Sequence, residues 1–342
     1  MTQYNKPNIS LNEDDLKLVK EVLDSGWVSI GKYVEAVETF FKRAYKVKYA
    51  IGCSNATQGL MIAIKSAGWR NKRIAVPSFT WPSTIYAIES TVGNSAVFCD
   101  INRKTFNIDI SRLPPDSYDA VVGVDVFGNE CHVPEGKPII YDAAHGFGLK
   151  NLGHRGLAEV VSFSFTKVVT AMEGGMILTN DDNLANIAWE LRRLSSRMLE
   201  VNAIVLSRSI LNHEENQKKK LACIETYIKY LDVEYTRQEI PVCSNHSVFP
   251  IILSETAVRD AIIKAFNREG IEYKVYYQPL VEGLINTDWV FSHILCLPAY
   301  PLLEEEEIKK ICEIANKASR DIHVGHNYLR NSSYLNRYIR NS

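Results

Sequence analysis

The sequence predicts an α/β layered domain, a mixed and mostly parallel sheet flanked by helices, with a smaller α+β domain after it. Three observations predict this. Helix-period and strand-like segments alternate through roughly the first 200 residues, the pattern of a sheet covered by its own connecting helices. The strand-like runs are short and apolar on both faces, which suits strands buried between two helical layers. Past about residue 205 the alternation stops and longer charged helical stretches take over.

The elements follow in order. "LNEDDLKLVKEVLDSG" sets Leu16, Val19, Val22 and Leu23 at helical spacing, with Asn12 as cap and Gly26 as stop. "YVEAVETFFKRAY" is a second amphipathic helix. "YAIGCS" reads as a strand feeding the helical period of "NATQGLMIAIKSAG". "RIAVP" is a strand, "PSTIYAIEST" a helix opened by proline, and "SAVFCDI" a strand. "YDAVVGVDVFG", "KPIIYDAAH" and "EVVSFSF" continue the series, and residues 176–178 read as a further buried strand. "SRSILNHEENQKKKLACIETYIKYLD" reads as one long helix leaving the first domain. "HSVFPIIL", the helix "TAVRDAIIKAFNREG", "IEYKVYY" and the helix "EEEEIKKICEIANKAS" build the smaller one. The expected division is a large α/β domain over 1–235 (connecting helix included), a small α+β domain over 236–320 and a polar, tyrosine-rich tail over 321–342.

Composition narrows the function classes. With 46% apolar residues and 23% charged, a packed core is within reach. A net charge of −1 leaves no electrostatic footprint for nucleic acid, and runs such as Lys218-Lys219-Lys220 suit a solvated helix face. No apolar run has membrane-spanning length, and "MTQYNKPNISLNEDD" lacks a signal peptide's apolar core. The seven cysteines are scattered and never spaced as CxxC, which fits free thiols in a reducing cytoplasm and argues against bound zinc. The expectation is a soluble cytoplasmic protein without a metal.

Chemistry concentrates where strands end, the usual place for a site in an α/β sheet. Lys167 stands alone as a cation in the apolar and hydroxyl-rich run "VVSFSFTKVVTAMEGGMILTN", and a lysine so placed normally has a partner or a task. Asp142 and His145 close the strand "KPIIY". Ser54, Asn55, Ala56 and Thr57 open a helix, where amides and hydroxyls suit an anion. Trp81 follows "RIAVPSFT", an indole placed to cover a flat group. Pyridoxal phosphate asks for such a set: an accessible neutral lysine for a Schiff base, a carboxylate at the ring nitrogen, a phosphate cradle and a planar group over the ring. Lys167, Asp142, the 54–57 turn with Ser162, and Trp81 supply these.

"GCSNATQGL", "VPSFTWPSTIYAI", "DAAHGFG" and "SFSFTKVVTAMEGG" resemble the successive motifs of the DegT/StrS family of nucleotide-sugar aminotransferases. These are pyridoxal-phosphate enzymes of the aspartate aminotransferase fold type, fold type I. The likeness runs from "SGWVSIGKYVEAVETFF" to "LPAYPLLEEEEIKKICEIAN". The resemblance makes Lys167 the Schiff-base lysine, Asp142 the pyridinium partner and Trp81 the stacking aromatic. It gives His145 a contact with the cofactor ring, and puts Asn55, Ala56, Thr57 and Ser162 in or beside the phosphate cradle. It implies glutamate as donor, a nucleotide-linked keto sugar (4-keto-6-deoxy by the His after "DAA" and the "TK") as acceptor, and a homodimer with sites at its interface. The sequence departs from the family in three places. Ala56 stands where glycine is usual, Asp125 where histidine is usual, and Ser195 where an asparagine reaches the partner subunit's phosphate. Ser196 is an alternative donor there, and Arg155 and Arg197 are candidates for a carboxylate. Keto-cyclitol amination, sugar dehydration and a non-catalytic cofactor-binding regulator are the alternative functions.

Overall fold

A computed structural model describes residues 2–7 and 9–339, the stretch from 323 onward by its backbone alone. The first lobe contains α1 (Glu13–Ser25), α2 (Lys32–Ala44), β1 (Tyr49–Cys53), α3 (Ala56–Ser66), β2 (Arg73–Pro77), α4 (Pro82–Glu89) and β3 (Ser95–Cys99). It continues through β4 (Ala120–Val124), β5 (Ile139–Ala143), β6 (Ala158–Ser162), β7 (Gly175–Thr179), α5 (Asp182–Ser195) and α6 (Glu200–Leu211). Among the described residues these strands form one sheet in the order β1-β7-β6-β5-β4-β2-β3. Only β7 runs against its neighbours, pairing antiparallel with both β1 and β6. The six remaining strands therefore point one way and end on a common edge. Register aligns that edge closely, because Ser162 and Cys53 both pair with Gly175.

Both faces of the sheet are covered. Ile51, Val76, Val122, Val160 and Ile177 pack beneath α3, α4 and α5, and Ala50, Val161, Met176 and Leu178 pack beneath α2 and α6. β4, β5, β6 and β7 are buried throughout, as their unbroken apolar runs require. The helix starts also follow the sequence. Asn12 caps α1 in a reciprocal box with Asp15, each side chain accepting from the other's amide at 2.9 Å, and Gly26 takes the left-handed φ of 69° that ends it.

The single helix expected between the lobes is two. α6 ends at Leu211, and α7 (His213–Tyr230) starts beyond Asn212. The break separates two packing partners: Ala203 and Leu206 belong to the large sheet's core, Cys223, Ile224 and Tyr227 to that of a second sheet. This sheet has three antiparallel strands, β8 (Tyr235–Arg237), β9 (Phe249–Leu253) and β10 (Ile294–Leu297) in the order β10-β9-β8. It is covered by α8 (Thr256–Glu269) and α10 (Glu305–Ile339), with α9 (Ile285–His293) leading into β10. "IEYKVYY" forms no strand, joining the sheet only through a bridge from Lys274 to Cys296. The backbone of α10 runs through most of the stretch expected as a tail, and residues 340–342 lie outside the described ones. The two lobes meet in an aromatic cluster, where Phe79, Phe106 and Phe127 pack with Tyr277, Val290 and Cys296.

Candidate active site

The site forms where β1, β2, β5 and β6 end. Asn55 caps α3 by accepting from Gln58 N at 2.9 Å, and the first intrahelical bond runs from Gly59 N to Asn55 O. The amides of Ala56 and Thr57 precede that bond and open toward the cleft, as first-turn donors do. Ala56 is not among the residues of positive φ, so its methyl is compatible with the turn. Ser196 braces the turn from behind, its Oγ accepting from Ser54 N at 3.1 Å and meeting Ser54 Oγ at 2.9 Å. Gly175 lets β7 pass this closely: a Cβ there would lie 2.7 Å from the carbonyl carbon of Asn55 and 2.8 Å from Ala56 N. Ser162, last residue of β6, faces the same cleft.

Lys167 lies in the bend between β6 and β7, and its Nζ is 2.8 Å from His145 Nε2. Burial lowers this amine from its usual 10.5 to about 8, against the pull of Asp142 and Glu173. Asp142, in β5, is buried. Its Oδ2 accepts from Thr84 Oγ1 at 2.7 Å and its Oδ1 from Ala144 N at 3.1 Å, and burial raises it above the ordinary carboxylate range. Asp142 joins no ion pair among the described residues. The His145 ring is held neutral by burial, helped by Lys167 and Lys220. Its Nδ1 meets Ser247 Oγ at 2.6 Å, and Tyr277 Oη lies 3.4 Å from Nε2.

Asn55, Ala56, Thr57, Trp81, Asp142, His145, Ser162 and Lys167 thus line one cleft of about 740 Å³ between the lobes, within the usual range for a cofactor-sized ligand. Trp81 is 58% exposed beside Tyr276 and Tyr277, so it serves the cleft wall and not the core. Two expected donors lie elsewhere. Ser195 ends α5 with its Oγ donating to Leu191 O at 2.8 Å, away from this chain's own cleft, while Ser196 is committed to Ser54. Arg155 is not free for a carboxylate ligand, because it is buried between Asp125, at 2.7 and 2.8 Å, and Glu159. Asp125 is therefore one side of a buried ion cluster behind the strand ends. Thr84, Ser247 and Tyr277 were not foreseen. Each reaches the site from a distant segment, and no local spacing marks it.

The model of the DegT/DnrJ/EryC1/StrS aminotransferase family matches residues 9–316. A pleiotropic regulatory protein of Geobacillus stearothermophilus is 28% identical over 89% of this chain and 94% of its own length. A GDP-perosamine synthase of Vibrio cholerae is 25% identical over 89% of this chain and 95% of its own. The crystal structure of DesI with its TDP-sugar product shares the fold at a TM-score of 0.85 and 24% identity, covering 96% of this chain and 95% of that one.

Proposed function

This chain belongs to the DegT/DnrJ/EryC1/StrS aminotransferase family, and from that membership we propose that it moves an amino group from glutamate to a nucleotide-linked keto-deoxy sugar. The GDP-perosamine synthase and DesI likenesses favour such a sugar, and a 4-keto-6-deoxy sugar fits. Pyridoxal phosphate, the cofactor of the enzyme, supplies an aldehyde that bonds an amine and a protonated ring that draws electrons from the adjoining carbon. One observation carries the reading: Asp142, a buried carboxylate in no ion pair among the described residues, shares a cleft with a lysine lowered to about 8. The remaining residues fit. Ala56 and Thr57 offer amides to a phosphate, Ser162 a hydroxyl and Trp81 a flat wall.

Each residue has a task of its own. Lys167 Nζ would hold the cofactor covalently and, once freed by an incoming amine, would move a proton between the substrate carbon and the cofactor's aldehyde-derived carbon, from donor to cofactor in one half of the exchange and from cofactor to sugar in the other. Transfer by a positioned amine contributes about 10²–10⁴-fold. Asp142 would keep the ring nitrogen protonated from a site where Thr84 and Ala144 fix its orientation. Two copies of the chain assemble in this reading, and Ser195 meets the partner's phosphate site. Its surroundings favour that, with Trp27, Val28, Leu194 and Leu199 exposed at 67%, 44%, 75% and 47%. Among the described residues no helix is long and apolar enough to cross a membrane.

A cofactor-binding regulator without turnover is the competing reading, favoured by the pleiotropic regulatory relative. Spectroscopy separates the two. The loaded protein should lose its visible absorbance when glutamate alone converts the cofactor to pyridoxamine phosphate, and Lys167→Ala should lack that band at the outset. A band that survives excess glutamate rejects the aminotransferase, and an unaltered Lys167→Ala spectrum rejects the lysine.

A further inference from the structure

His145 is held from both sides of its ring. Nδ1 meets Ser247 Oγ at 2.6 Å, and Nε2 meets Lys167 Nζ at 2.8 Å. At neutral pH an amine lowered only to about 8 is still mostly an ammonium, which has only protons to give, so in the cofactor-free protein Nε2 presents its lone pair to Lys167. A neutral imidazole carries one ring proton, which then sits on Nδ1 and is donated to Ser247 Oγ.

Ser247 is itself anchored. Its amide donates to Asn245 Oδ1 at 2.9 Å, and its carbonyl accepts from the buried Lys220 Nζ at 2.6 Å. Asn245 clamps the loop that carries His145, donating from Nδ2 to the carbonyl of His145 and, at 2.8 Å, to that of Phe147. Gln217 Nε2 holds the Asn245 carbonyl at 2.7 Å. The segment entering β9 is thus tied to the strand-end loop of the large sheet through a buried polar network, every member of which is constrained.

We infer that Ser247 is a positioning residue for the reaction: its hydroxyl, bonded to Nδ1, fixes the orientation of the His145 ring, so that Nε2 accepts from Lys167 Nζ and aims the amine into the cleft. The inference rests on Lys167 being the amine that bonds the cofactor. Without the hydroxyl, the ring is free to turn, and Lys167 loses a fixed acceptor. Tyr277, at 3.4 Å, is too distant to replace that restraint.

The tautomer is measurable in the cofactor-free protein by ¹⁵N NMR of labelled histidine, with His145→Asn supplying the assignment. The wild-type ring should be protonated at Nδ1 and bare at Nε2. Ser247→Ala should lose the hydrogen-bond shift of its Nδ1–H and capture added pyridoxal phosphate about tenfold more slowly or worse, the scale of a displaced reacting group. Ser247→Thr, which keeps the hydroxyl, should restore both. A wild-type ring protonated at Nε2 overturns the proposal whether or not the variants fold, and so does a Ser247→Ala protein with the wild-type Nδ1–H shift and capture rate. Failure of the wild-type protein to capture the cofactor at all would instead count against the role of Lys167, while the NMR result still decides the tautomer.

Discussion

Gly175 has no room for a side chain, since a methyl would press on the backbone of Asn55 and Ala56 and not on a flexible side-chain tip. Gly175→Ala should therefore move the phosphate turn, costing about 1–3 kcal/mol of stability. Calorimetry and a pyridoxal phosphate titration should show a lower Tm together with weaker cofactor binding. Asp142→Asn keeps the shape and the Thr84 contact but removes the charge proposed to hold a ring nitrogen protonated. Steady-state kinetics should show kcat lower by about 10²–10³-fold, the scale of a lost electrostatic partner, with cofactor still bound. Full activity would contradict the assignment. Lys167 and Asp142 were legible because each terminates an apolar run where a charge is out of place. Ser247 and Arg155 were not. Ser247 meets His145 across 102 residues, and the partners of Arg155 lie 30 residues back and 4 ahead on different strand ends. Such contacts follow from topology, which no local spacing encodes.

Short-range signals did well on elements whose ends carry side-chain chemistry. The capping of α1 by Asn12 was readable, and Asn12→Ala should cost about 1 kcal/mol in urea unfolding; no loss would mean that Asp15 is held by Arg208 alone, at 2.7 Å. The proline start of α4 and the Asn55 start of α3 were equally plain. α5 carries an equally legible cap, Asp181 accepting from Leu184 N at 2.8 Å. α9 had no such mark, because "INTDWVFSH" lacks both a side-chain cap and a clear apolar stripe. The break between α6 and α7 was hidden for another reason. Asn212 itself keeps helical dihedrals, φ −88° and ψ −3°, so nothing in the residue forbids a continuous helix. The separation follows from what the two halves pack against.

At the scale of the molecule, buried amines and thiols set opposing pH dependences. Lys167 and Lys220 fall from 10.5 to about 8 and about 7 through burial, so above about pH 7 the unfolded chain holds protons that the folded one has lost. Stability of the cofactor-free protein should therefore climb with pH from there. Cys53, Cys99, Cys131, Cys296 and Cys312 act in the reverse sense, since burial raises each from 9.0 to about 12 and the unfolded chain sheds protons first. These thiols outnumber the amines, so urea unfolding at fixed ionic strength should show a maximum near about pH 9. A monotonic fall from pH 7 would mean that the amines are not shielded from water. The one-residue break at Asn212 also bears on how the protein is made. Every fully buried member of the three clusters around the large sheet precedes it. A ribosome that has released this point has delivered those three clusters, with a lysine and an aspartate but no Ser247 or Tyr277, while Phe79, Phe106 and Phe127 still lack Tyr277, Val290 and Cys296. If Ser247 positions Lys167 as inferred, loading with cofactor should be a late event in biosynthesis, timed by the arrival of the second lobe.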